Sequence, residues 1–120
     1  YVLSGPDIRD RLEVTSKNDV ADNGWHHVAL VREAGDGGPI LYLDGAVCPV
    51  WFNLVRGIRP QDIDCASPWT IGFDGTASFF VGSIDEVALW GSALSPANIV
   101  WLAGNSLKAI PRRGTLLSIQ

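Results

Sequence analysis

No stretch of this sequence runs far without a signal to turn. Such signals stand at "SGPD" (4–7), "KND" (17–19), "ADNG" (21–24), "GDGGP" (35–39) and "DG" (44–45). They recur at "IRPQD" (58–62), "ASP" (66–68), "FDGTAS" (73–78) and "GSALSP" (91–96). Between them lie short runs rich in Val, Ile, Leu, Trp, Phe and Tyr, the residues that suit a pleated, half-buried surface. Short strands broken by Gly/Asp/Asn turns at this pitch leave room for little but an all-β sandwich or barrel. The expected strands are Arg11–Ser16, His26–Arg32, Ile40–Leu43, Val47–Trp51, Thr70–Phe73 and Phe79–Trp90, the last with room for a bulge.

A single helix is expected near the C-terminus. In "LSPANIVWLAGN", Ser95 suits the N-cap, Pro96 the first helical position and Gly104 the position just past the end. Asn98 stands where a full capping box would carry Glu or Gln. Ile99 and Leu102 would share one face, so that the helix lies as a lid on a sandwich edge.

The 120 residues amount to about one domain, with no internal repeat and no linker-like tract. Residues 111–120, "PRRGTLLSIQ", could be an extra strand, a docking tail or the start of a further segment. The chain opens on Tyr1 and contains no methionine, so a processed product, an excised domain or part of a longer sequence is expected. Nine basic residues against thirteen acidic ones give a net charge of −4, and the basic residues are scattered apart from Arg112–Arg113. That distribution excludes a phosphate-tracking surface and hence a nucleic-acid partner. The longest apolar runs fall far short of a bilayer's thickness, so no direct membrane insertion is expected.

Cys48 and Cys65 are the two cysteines. Two thiols without companion Cys or paired His make a poor zinc site. A disulfide is the more natural reading for a secreted protein, and closing such a loop would contribute about 3 kcal/mol. Two separate buried thiols are the alternative.

Two segments then resemble a known family. "DNGWHHVALVREAGDGGPILYLDGAVC" is similar to the strand–loop–strand of laminin-G-like, concanavalin-type sandwich domains, from its W-H-H-V-A start to its Y-x-D-G finish. "WTIGFDGTASFFVGSIDEVALWGSALSPANI" resembles the closing pattern of the same domains: T-I-G, a variable loop, F-x-G-x-I-D-E-V, an aromatic, A-L-S and a short helix. The resemblance runs in order from Asp22 to Ala103. It implies an antiparallel, two-sheet jelly-roll sandwich with one short C-terminal helix. It also implies that the opening strands of the family's domain are missing ahead of the W-H-H strand, to be found in further sequence or supplied by a neighbouring chain through strand addition.

The same resemblance places Trp25 in the core at the start of its strand, with His26 and His27 on opposite faces. Side chains on opposite faces cannot hold one ion. Asp85 and Glu86 in "SIDEVALW" are adjacent on a strand and diverge, whereas a glycosidase needs two carboxylates converging on one bond. The family's sugar-cleaving members carry an E-x-D-x-x-E strand that is absent here, as are a G-x-S-x-G elbow, a P-loop and an H-E-x-x-H helix. A non-enzymatic protein is therefore expected. Similar domains use the aspartate of the I-D-E-V strand in a structural Ca²⁺ site, which would put Asp85 on a metal.

Ligand contacts in this architecture come from rim loops or a sheet face. Trp51 and Trp69 could stack on sugar rings, and Asp74 could accept hydroxyl hydrogen bonds. An exposed "VWFNLV" would equally suit a protein interface. The expected function is a non-catalytic binding module for a glycan or a protein partner, in an extracellular, cell-surface or periplasmic setting and within a larger chain or multi-subunit assembly. The alternatives are a structural subunit whose sandwich a neighbouring chain completes, and a fragment of a glycoside hydrolase.

Overall fold

The structure is a computed structural model that describes residues 2–4, 11–33, 38–55, 70–73, 77–107 and 117–119. Its elements in chain order are β1 (Val2–Ser4), β2 (Arg11–Ser16), β3 (Val28–Val31), β4 (Ile40–Leu43), β5 (Ala46–Val47), β6 (Val50–Val55), β7 (Val87–Leu89), α1 (Pro96–Ala103) and β8 (Leu117–Ile119). Every strand pairing is antiparallel. One sheet has the order β1-β2-β6, a second has β3-β4-β5, and β7 pairs with β8 in a two-stranded ribbon.

The alternation of side chains along β3 and β4 builds three layers. Leu30 and Leu41, opposite one another in the ladder, pack with Val50 against the buried Val14 of β2 and so join the two three-stranded sheets. Ala29, Val31 and Tyr42 project from the other face of the same sheet and pack with Ile99 and Leu94, under α1. Both faces of the β3–β4 sheet are therefore covered, as its apolar character on both sides requires. Ile99 is 1% exposed and is the keystone of the helix layer.

α1 follows its sequence signals. Ser95 caps it by accepting the Asn98 N–H at 3.3 Å, Pro96 opens it, and Gly104 closes it with N–H bonds back to Leu102 and Trp101 carbonyls. Ile99 and Leu102 are the helix residues it buries.

Four of the expected strands differ. The strand expected over His26–Arg32 is confined to Val28–Val31, because the two histidines ahead of it are held by other contacts described below. The strand expected over Val47–Trp51 divides at Cys48–Pro49: β5 pairs with β4, whereas β6 crosses to the other sheet and pairs with β2. Proline has no N–H to give to a ladder, so a change of sheet at Pro49 loses least. Of the segments 70–73 and 79–90, the structure keeps an isolated Phe73–Phe79 bridge, with the two rings stacked at 4.7 Å, and β7. Leu117–Ile119, within the segment whose role was open, forms β8 along β7.

Candidate functional site

The β2–β6 ladder sets Thr15 opposite Trp51, and both side chains are exposed. Val14, one residue along on the other face, is buried, so Thr15 and Trp51 stand on the outer face of the sandwich. Trp51 is 65% exposed, and the Lys17 ammonium lies 4.0 Å from its ring centroid in a cation–π contact. Lys17 is placed there by the continuation of the ladder, its N–H donating to the Pro49 carbonyl at 2.9 Å. An indole, a hydroxyl and an ammonium thus share one solvent-facing patch. That combination can stack on an apolar sugar face and bond its hydroxyls, or anchor a protein partner.

A second constellation ties the loop before β3 to the turn between β4 and β5. Asp44 and Gly45 form a two-residue hairpin connection with φ of 51° and 83°. Positive φ at both positions is what the turn type that matches strand twist demands, and it selects Asp-Gly. An added Cβ at Gly45 would lie 3.3 Å from Val100 Cα and Ala103 Cβ, so the turn is also pressed against α1.

His26 sits between two carboxylates, with Nδ1 2.8 Å from Asp44 Oδ2 and Nε2 3.0 Å from Asp22 Oδ1. A carboxylate only accepts, so both contacts are complete when the ring is an imidazolium donating from each nitrogen. The pair of bonds, that to Asp44 first, raises the His26 pKa above its ordinary 6.5. Asp44 is held below the usual carboxylate value by His26 and then by the His27 N–H, which donates to Oδ1 at 2.9 Å. Asp22 is lowered by the Gly24 N–H, donated at 2.7 Å, and next by His26. The Asp44 N–H returns a bond to the His27 carbonyl at 2.8 Å.

These two aspartates are the partners that sequence reasoning missed for the histidine pair. The signal was present: with Val28 opposite Leu43, extending the ladder by one residue brings His27 level with Asp44. His27 takes no part in the clasp with its ring, whose Nδ1 is buried without a hydrogen-bond partner.

Trp25 corrects an expectation. It does not fill the core but is 72% exposed, because the loop that carries it is drawn by His26 and Asp22 toward the hairpin turn instead of running on as strand. Asp85 is exposed, and its Oδ1 accepts the Glu86 N–H at 2.7 Å. Glu86, at φ 51°, accepts from the Ser106 hydroxyl and from the Leu107 N–H, tying β7 to the chain beyond α1. Both carboxylates of the pair are thus spent on local bonds. Among the described residues no group of three or more His, Cys, Asp or Glu gathers to hold a metal.

Cys48 is a buried free thiol, its Sγ 3.1 Å from Ser16 Oγ and 3.4 Å from the Pro49 carbonyl to which it donates. Cys65, Trp69 and Asp74 lie outside the described residues. No described helix is long and apolar enough to cross a membrane.

Comparison with known proteins agrees with this architecture. A family model described as the concanavalin A-like lectin/glucanases superfamily matches residues 3–100. The human neuronal pentraxin receptor is 36% identical over 88 residues, covering 68% of this chain and 17% of the receptor. Its rat counterpart is 34% identical over 88 residues, with 68% of this chain and 18% of the receptor covered. The rat sushi, von Willebrand factor type A, EGF and pentraxin domain-containing protein 1 is 27% identical over 118 residues, 91% of this chain but 3% of that protein. The chain therefore spans less than a fifth of the length of these relatives. No solved structure gives a significant match.

Proposed function

Since this chain belongs to the concanavalin A-like lectin/glucanase superfamily, we propose that it is a non-catalytic extracellular binding module that recognises a glycan or a protein partner through the outer face of the β2–β6 ladder. The observation that carries the proposal is Trp51: 65% exposed, on a strand face, with Lys17 over its ring and Thr15 beside it. A fold of this kind hosts enzymes as well as binders, so the site has to decide. Asp85 and Glu86 are bonded to backbone and to Ser106, which supports a structural use of the acidic pair over an acid/base one. The extracellular setting rests on the relatives, one named a receptor and another carrying pentraxin and EGF domains in its name. A Ca²⁺ at Asp85 belongs to the same setting as a proposal, with backbone carbonyls needed to complete its oxygens.

A specific observation favours a second reading, that of a subunit whose sandwich a neighbouring chain completes. Phe79 is 70% exposed, Val81 95% and Val28 62%. Exposed apolar side chains that join into one patch mark an interaction surface, and these would do so in contact with a neighbouring chain.

The test is to probe the purified chain against an array of glycans and extracellular protein domains, in Ca²⁺ and in chelator, beside Trp51→Ala. The proposal expects saturable binding that Trp51→Ala loses while its melting temperature holds. Turnover of any glycan, or binding indifferent to Trp51, contradicts it. A chain that binds nothing and is stable only within a complex establishes the subunit reading.

A further inference from the structure

A second surface is formed on a different element, ahead of β3. Trp25 is 72% exposed there, with Val28 at 62% and Val20 at 41%. Exposed tryptophan of this extent is uncommon, and tryptophan is the residue most enriched among binding hot spots. The segment between Lys17 and Arg32 carries Asp19 and Asp22 and no Lys or Arg, and the clasp adds the exposed Asp44. Even as an imidazolium His26 would offset only one of the two carboxylates it touches, so the patch is net acidic.

We infer that Trp25, within this acidic surround, is the anchor for a protein partner that offers an apolar pocket edged by Lys or Arg. Charge complementarity selects that occupant: an acidic partner would meet Asp19, Asp22 and Asp44 with like charge, which costs several kcal/mol across an interface. The loop is also set in advance. Asp22 holds the Gly24 N–H, His26 bridges Asp22 to Asp44, and the His27 N–H and carbonyl both bond Asp44. A loop already fixed by five such bonds loses little further freedom when a partner closes on it. The inference is carried by Trp25 and its acidic neighbours, not by Trp51, and does not depend on the reading of that site.

The test uses the intact chain and a phage-displayed library of random linear peptides as probe. Recovered peptides are synthesised and titrated against wild type, Trp25→Ala, Trp51→Ala and Asp22→Asn. The expected result is enrichment of peptides with Lys or Arg beside an aromatic or aliphatic residue. Their Kd should weaken by about tenfold or more in Trp25→Ala, stay unchanged in Trp51→Ala, and weaken with added salt, less steeply so in Asp22→Asn. Peptides without basic residues, binding that Trp25→Ala leaves intact, or a library that yields no binder overturns the inference. Peptides that depend on Trp51 alone overturn it too, while leaving the binding-module reading standing. Because Trp25 is exposed, Trp25→Ala should fold normally. A variant that fails to fold shows Trp25 to be covered by more of this protein, and this also overturns the inference.

Discussion

Gly45→Ala is the substitution that most sharply probes how the candidate sites are held. Gly45 sits at φ 83°, a conformation that costs an L-residue about 1–2 kcal/mol. Its new Cβ would also lie 3.3 Å from Val100 Cα and Ala103 Cβ. Those neighbours are helix backbone and a short side chain with nowhere to rotate, so the turn or α1 must shift, for about 1–2 kcal/mol more. The total is about 2–4 kcal/mol. With an unfolding entropy of about 2.1 cal/mol/K per residue, a chain of 120 residues loses about 4 °C of Tm per kcal/mol, giving a drop of about 8–16 °C. The assay is thermal unfolding followed by circular dichroism, with urea unfolding as a second measure. Gly91→Ala is the control: it has no atom within 4 Å of its would-be Cβ and no positive φ, so it should be neutral or gain slightly from the smaller unfolded-state entropy. Equal behaviour of the two variants would refute the argument, since the difference between them is the whole of it.

The clasp predicts a window of pH. The raised His26 pKa means its contribution is complete below about 6.5 and fades as pH rises through the folded value, while the lowered Asp22 and Asp44 contribute above about 3.8 and fade as pH falls through theirs. Tm should therefore hold between those limits and decline on either side, and His26→Gln should flatten the upper decline; an unchanged upper limb refutes the assignment. Ile99→Ala, at a position 1% exposed between α1 and the β3–β4 sheet, should cost about 2–5 kcal/mol in urea unfolding, and a loss under 1 kcal/mol would mean that α1 does not pack as described. Cys48, a buried free thiol, should resist iodoacetamide in the native protein and react on unfolding without reductant. Reaction only after reduction would instead establish the bridge to Cys65.

What could be read from the sequence was what short-range chemistry decides. Ser95, Pro96 and Gly104 are capping signals that act within a turn of their own positions, and they set α1. β2 has the expected bounds because six alternating residues suffice to define a strand. The resemblance placed the chain among concanavalin-type sandwiches, and the family match over residues 3–100 bears this out. What escaped depends on contacts between distant segments. Asp22 and Asp44 reach His26 only once β3 and β4 are zipped into register, and their pull is what shortens β3 and leaves Trp25 in solvent. The crossing of β6 to the other sheet likewise turns on which strand accepts it after Pro49, a choice made by the packing of Val14 with Leu30, Leu41 and Val50.

The central claim is that the outer face at Trp51 is the recognition surface, and the most direct measurement is a ¹H–¹⁵N NMR titration that follows the indole N–H of each tryptophan. For any glycan or protein domain found to bind on the array, the Trp51 indole and the amides of Thr15 and Lys17 should shift saturably with one Kd, and the same titration of Trp51→Ala should show no binding. Shifts confined to other tryptophans, with Trp51, Thr15 and Lys17 unmoved at saturation, would contradict the account.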